Sequence, residues 1–399
     1  MSLVTESPTA PVRRRWMVAY ALAMIGVAAG WFGPIQILLP EQAARLAGDD
    51  GKEALLALVT AWGAAASMVA NPLWGALSDR IGSRRLPIFV AGTVVGVAGL
   101  LVLAAADTTA AMVSGWILVQ VGLNGPLAAL AALIGDRVPE AQRGTVGALF
   151  GVAQIVGVVL GTAVAVAVGQ GAPGYVAVAV AVPLLGIALV LMHRDTPYNK
   201  DVKRTNWTAL RRPGGQFAWA WLIRFLLNLV NALVLVYLFY FLSDEVGVAD
   251  AATWVLILTV VNVLFAGIFG FAGGVLSDRW ERRKIFVAAG AVILAAGTVL
   301  MALVPIVPVV IVASVLVGVG WGAYIAVDMA VMTHVLPDAE TRATMLGVAN
   351  VAGTLPQLLA PVLAAPIVTA LGGYRTLYLV TAAFALIALA CLPRLRALS

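Results

Sequence analysis

Residues Gly75 to Arg85 read G-A-L-S-D-R-I-G-S-R-R, and the pattern returns as Gly274, Leu276, Ser277, Asp278 and Arg279, trailed by Arg282, Arg283 and Lys284. From Gly75 to Gly274 the shift is 199 residues, half the length of the 399-residue chain. Each copy stands between two long apolar runs, so each is read as a short polar hairpin joining two membrane helices. The chain is therefore read as a duplicated membrane protein.

Composition supports this. Hydrophobic residues make up 62% of the chain and charged residues 11%, which excludes an ordinary soluble domain. Leu86 to Ala106, Gly144 to Met192 and Ile285 to Val327 carry no charge, and the last two are long enough for two spans each. About twelve spans of roughly 20 residues fit the chain, an all-α membrane fold of two six-helix bundles.

The net charge of +6 is explained by where the cations lie rather than by a nucleic-acid partner. Arginine and lysine gather in alternate loops, at Arg13 to Arg15, Arg80 to Arg85, Arg137 and Arg143, Arg194 to Arg212, Arg279 to Lys284, and Arg394 and Arg396. The loops between hold acids such as Glu41, Asp49, Asp107, Asp244 and Asp250. This is the positive-inside pattern, and it places both termini and both hairpins in the cytoplasm of a multi-pass protein of the cell membrane. The single cysteine, Cys391, can form no internal disulfide. The basic and apolar N-terminus is read as an uncleaved first span.

The repeated Gly-x-Leu-Ser-Asp-Arg hairpin with trailing arginines resembles the signature loop between helices 2 and 3 of the major facilitator superfamily of transporters, and its copy resembles the loop between helices 8 and 9. A second internal alignment supports the duplication: residues 121–139 lie over 319–337 without a gap, matching Gly122 with Gly320 and Pro139 with Pro337. The expected organisation is a tail over 1–15, a bundle over 16–193, a cytoplasmic linker over 194–216 and a second bundle over 217–399. The first span is expected over Trp16 to Leu39, the second over Ala54 to Leu77, the tenth over Pro308 to Thr333. A substrate site is expected at the interface of the bundles near the midplane.

The resemblance implies roles for the hairpin charges. Asp79 would meet the N-terminal end of helix 11, Arg80 would pair with an acid at the end of helix 4, for which Asp136 is the candidate, and Arg143, Asp278 and Arg279 would join them in gating. A plain cytoplasmic turn is the alternative for all six.

Asp328 is the one acid well inside an expected span. An ionised carboxylate there costs about 2.5 to 3.5 kcal/mol, so it should face a cavity or a partner and is a candidate proton carrier. Arg224 lies at matching depth, and an Arg224 to Asp328 ion pair is expected, either transport-coupled or static. In the family the cavity is lined by helices 1, 4, 7 and 10, which here supply Trp31, Gln36, Gln120, Asn124, Asn228, Asn231, Tyr237, Trp321 and Tyr324. Amides and indoles suit a neutral polyhydroxylated ligand, although each could equally bond helix to helix.

No catalytic constellation appears, so the chain is not read as an enzyme. His193 and His334 are too few for a metal site, and no cofactor is expected. There is no Walker-type loop to bind ATP. The expected function is a monomeric secondary transporter of a small solute, proton-coupled, with a sugar or similar polar cargo; Gly30-Trp31 and the residues after it resemble proton-coupled sucrose transporters. The alternatives are a drug or metabolite exporter and a non-transporting receptor or scaffold of the same fold.

Overall fold

A computed structural model describes residues 11–81, 84–169, 171–195, 215–280, 282–335 and 342–395. Apart from its ends, the expected linker lies outside the described residues, as does most of the expected tail. Among the described residues twelve helices are long and apolar enough to cross a membrane. The chain forms two compact units, Met1–Val202 and Lys203–Ser399.

The first unit contains α1 (Arg14–Gly33), α2 (Leu39–Ala47), α3 (Lys52–Arg80), α4 (Leu86–Ala104), α5 (Thr109–Arg137), α6 (Glu140–Val168) and α7 (Ala172–Met192). The second contains α8 (Gly215–Val236), α9 (Leu238–Tyr240), α10 (Ala251–Trp280), α11 (Arg283–Leu303), α12 (Val307–His334), α13 (Arg342–Ala370) and α14 (Gly373–Cys391). A π turn, Pro34–Leu38, joins α1 to α2, so the first span runs on to Ala47 rather than ending at Leu39. Hydropathy stops at Leu39 because Glu41 and Arg45 follow, but backbone hydrogen bonding carries on through them. A second π turn, Phe241–Glu245, follows α9.

Helix pairing repeats between the units. In the first, α1 packs on α6 and α7, α3 on α5, and α4 on α5 and α7; in the second, α8 packs on α13 and α14, α10 on α12, and α11 on α12 and α14. Corresponding glycines permit close approach in each. A Cβ on Gly92 would lie 2.6 Å from the Gly122 carbonyl oxygen, and one on Gly290 would lie 2.8 Å from that of Gly320. Small residues let helix backbones meet where lipid supplies no hydrophobic drive between helices. Glycines at positive φ stand at helix ends, Gly169 at φ 93° after α6 and Gly372 at φ 108° before α14.

The outward surface is apolar: Leu191 is 77% and Phe271 78% exposed. Such a continuous apolar exterior fits lipid and would aggregate in water.

Candidate functional site

In the second unit α12 carries Asp328, which is 4% exposed. Both of its oxygens take a donor. Tyr324, one helical turn earlier, donates its hydroxyl to Oδ1 at 2.7 Å, because residues four apart share a helix face. Arg224 reaches across from α8, its Nη1 standing 2.8 Å from Oδ2. The same Nη1 lies 3.6 Å from the Met329 sulfur. Arg224 Nε is enclosed and meets no acceptor among the described residues. The result is a monodentate pair, with 12% of the arginine side chain and 5% of the aspartate side chain exposed.

The other expected site residues of the second unit lie on α12 and on or just past α8. The ring of Trp321 lies 5.5 Å from that of Tyr324. Asn228 donates to the Arg224 backbone oxygen at 2.8 Å, so its amide is engaged on its own helix. Tyr237 is buried at the break between α8 and α9, its ring 5.9 Å from Tyr240. Asn231 is half-buried on α8.

The remaining expected ligands belong to the first unit. Asn124 is 3% exposed and forms a structural clamp: it accepts from Asn71 at 3.1 Å and donates to Ser67 at 2.7 Å and to the Gln120 carbonyl at 2.7 Å, tying α5 to α3. Gln36, inside the π turn, accepts from Thr162 of α6 at 2.8 Å. Gln120 is half-buried, and the Trp31 indole N–H is enclosed without an acceptor among the described residues.

At the signature loop the acid of α5 has a different partner from the one implied above. Asp136 accepts from Arg85 Nε at 2.8 Å, whereas Arg80 is exposed at the end of α3. Arg85 also donates to Ser78 at 2.7 Å, and Ser78 in turn donates to the Arg84 carbonyl at 3.0 Å, closing the hairpin on itself. Arg143 donates to the carbonyls of Val138 and Gly135, each at 3.2 Å, and so caps the end of α5. The second copy has lost this clamp in sequence, since Lys284 and His334 stand where Arg85 and Asp136 do. Arg279 is exposed, and the side chains of Asp79 and Asp278 lie outside the described residues.

Another cluster was not anticipated. Trp16 at the start of α1 donates to His193 Nδ1 at 3.4 Å, His193 Nε2 lies 3.2 Å from Asp195, and Asp195 accepts the Leu86 N–H of α4 at 2.9 Å. Burial, aided by Arg137, pushes the imidazole below its ordinary value of 6.5 against the opposing pull of Asp195. Trp16 and His193 lie 177 residues apart, and nothing in their local sequence links them. Among the described residues no group of histidine, cysteine and acid could hold a metal ion.

Two six-helix units with matching helix pairing, an apolar exterior and a buried arginine–aspartate pair within a span define a duplicated membrane-transporter architecture. The chain belongs to the Major Facilitator Superfamily, whose model matches residues 17–263 and 221–398. That family is made up of transporters. Among solved structures, the fold is similar to that of the nucleoside transporter NupG, with a TM-score of 0.77 and 14% identity over 96% of this chain and 99% of that one. It is also similar to a bacterial homologue of the human lysosomal transporter Spinster in an inward-facing, occupied conformation, with a TM-score of 0.74 and 17% identity over 96% of each chain. A peptide transporter of the POT type in complex with sulfate gives a TM-score of 0.76 and 14% identity over 99% of this chain and 96% of that one. Among proteins of curated function none matches the sequence.

Proposed function

We propose that this chain is a secondary active transporter of a small polar solute, working by alternating access and coupled to protons through Asp328 with Arg224 as counter-ion. The observation that carries the reading is the buried, monodentate Arg224–Asp328 pair, with Tyr324 holding the second carboxylate oxygen. A carboxylate at such depth persists only while paired, and breaking the pair favours its protonation. Protonation, solute binding and a change of state are thereby linked through one side chain.

A sugar or similar hydroxyl-bearing solute is the cargo this reading prefers, with Asn231 and Trp321 as the polar and aromatic groups of the second unit proposed to meet it. On the same reading Asp79, Arg80, Asp136, Arg143, Asp278 and Arg279 bias the balance of states from the cytoplasmic side, and both termini are cytoplasmic.

Uptake of a panel of sugars, organic acids and amphipathic drugs into proteoliposomes under an imposed pH gradient tests the proposal. Flux that depends on the gradient and is abolished by Asp328→Asn is expected. Full gradient-driven flux in Asp328→Asn would show that the proton is carried elsewhere.

A further inference from the structure

Resting on the proton-coupled reading above, we infer that the solute carries a carboxylate, which takes the unused side-on edge of the Arg224 guanidinium as a proton takes Asp328.

A guanidinium offers two forked edges to a planar anion. Asp328 occupies only Nη1, at 2.8 Å, and Met329 shares that same nitrogen. The opposite edge, Nε with Nη2, bonds none of the described residues. Nε is enclosed, and a buried donor left unpaired is costly enough to require a reason. Nη2 looks toward Gly353 of α13, where a Cβ would stand 3.9 Å away.

Charge balance narrows the class of ligand. Arg224 is the charged group facing the Asp328 carboxyl, alongside the neutral hydroxyl of Tyr324. While Asp328 is ionised, the pair is neutral and an incoming anion meets no net attraction. Once Asp328 holds a proton, one positive charge remains in a poorly hydrated setting, and a monoanion restores neutrality. A phosphate ester dianion would overshoot by one charge. The planar carboxylate also matches the fork in shape, so a hydroxyl-bearing organic acid fits better than the neutral sugar of the same size. One proton and one monoanion travelling together carry no net charge.

The test uses the full chain, purified and in proteoliposomes, with glucose, gluconate and glucose 6-phosphate as matched probes and lactate as a short acid. Gluconate or lactate should bind more tightly as pH falls from about 8 to about 6, by up to about tenfold per pH unit. Asp328→Asn, a fixed mimic of the protonated acid, should bind the carboxylate at about pH 8 as well as the wild type does at the lower pH. Arg224→Lys, which keeps the charge but not the fork, should weaken carboxylate binding about tenfold. Because single changes to a buried pair can prevent folding, Arg224→Gln with Asp328→Asn serves as a charge-free control that should fold and bind no carboxylate. Uptake should follow the pH gradient and ignore an imposed membrane potential.

Glucose binding as well as gluconate, or only a cation or drug moving under the pH gradient, would overturn the carboxylate inference while leaving proton coupling intact. Carboxylate uptake driven by membrane potential would overturn the electroneutral cotransport. If nothing in the panel moved with the pH gradient, both the coupling and the inference resting on it would fall.

Discussion

The indole N–H of Trp16 points at Nδ1 of His193 from 3.4 Å, and that contact decides which imidazole nitrogen carries the proton. Nδ1 must accept, so Nε2 holds the hydrogen and faces Asp195 at 3.2 Å. A protonated ring would turn two donors against each other. With the folded value below 6.5, His193 supports the fold above that pH and the support drains away as pH falls below it. The melting temperature of the purified protein should therefore decline between about pH 7 and about pH 5.5. In His193→Gln, which can accept and donate in the same way without titrating, this part of the decline should vanish. An unchanged pH profile would show that the cluster does not sense protons.

Arg85, not Arg80, should prove the structural partner of Asp136. Asp136→Ala removes the carboxylate that faces the nearly buried Arg85, and should cost about 2 kcal/mol after allowance for the 19% exposure of the acid. Arg80→Ala, at an exposed position, should stay within about 0.5 kcal/mol. Thermal-shift measurements on the two variants side by side decide the matter, and equal losses would contradict the geometry.

The glycine contacts in the paired helices should be intolerant in both units. A Cβ at Gly122 would fall onto the backbone of Gly96, and one at Gly320 would lie 2.9 Å from the Gly290 carbonyl oxygen. Backbone cannot swing aside as a side chain can, so Gly122→Ala and Gly320→Ala should each cost about 3 kcal/mol or prevent accumulation in the membrane. Gly151, with nothing within 4 Å of such a Cβ, supplies the control. Gly151→Ala should leave yield and melting temperature unchanged or slightly raised.

Asp250 caps α10, accepting from the Thr253 N–H at 3.0 Å and from its hydroxyl at 2.6 Å. Those bonds hold its carboxyl below the ordinary 3.8. The cap is thus fully formed above that value and is lost only as pH falls through the lowered one. Asp250→Ala should cost about 1 kcal/mol, seen as faster hydrogen exchange in the first turn of α10.

Much of the fold could be read from the chain because its strongest signals are repeated. The Ser-Asp-Arg hairpins, the match of Gly122 to Gly320, and the matching depths of Arg224 and Asp328 all depend on spacing, which sequence preserves. Partner choice is different. Arg80 and Arg85 differ by little more than one turn, and only the path of the hairpin brings the second to Asp136. Asn124 offered the same amide to a solute or to α3, and its neighbours Asn71 and Ser67 took it. The Trp16–His193–Asp195 cluster gathers three helix ends that meet only after packing. Its polar members carry no motif.

The π turns at Pro34–Leu38 and Phe241–Glu245 have a mechanical consequence. Each α-helical residue rotates the chain by about 100°, so accommodating one additional residue re-aims everything that follows by about that much. Beyond the first turn, Gln42 is delivered to the Tyr175 hydroxyl at 2.7 Å; beyond α9, the second turn delivers Asp244 to the Tyr374 hydroxyl at 3.1 Å. Deleting a single residue, such as Ile35, would restore an uninterrupted α spiral and swing Gln42 away from its tyrosine. The bearing of each of these helix tips is thus dictated by a count of residues, and a frame slip there would damage it more than most side-chain replacements.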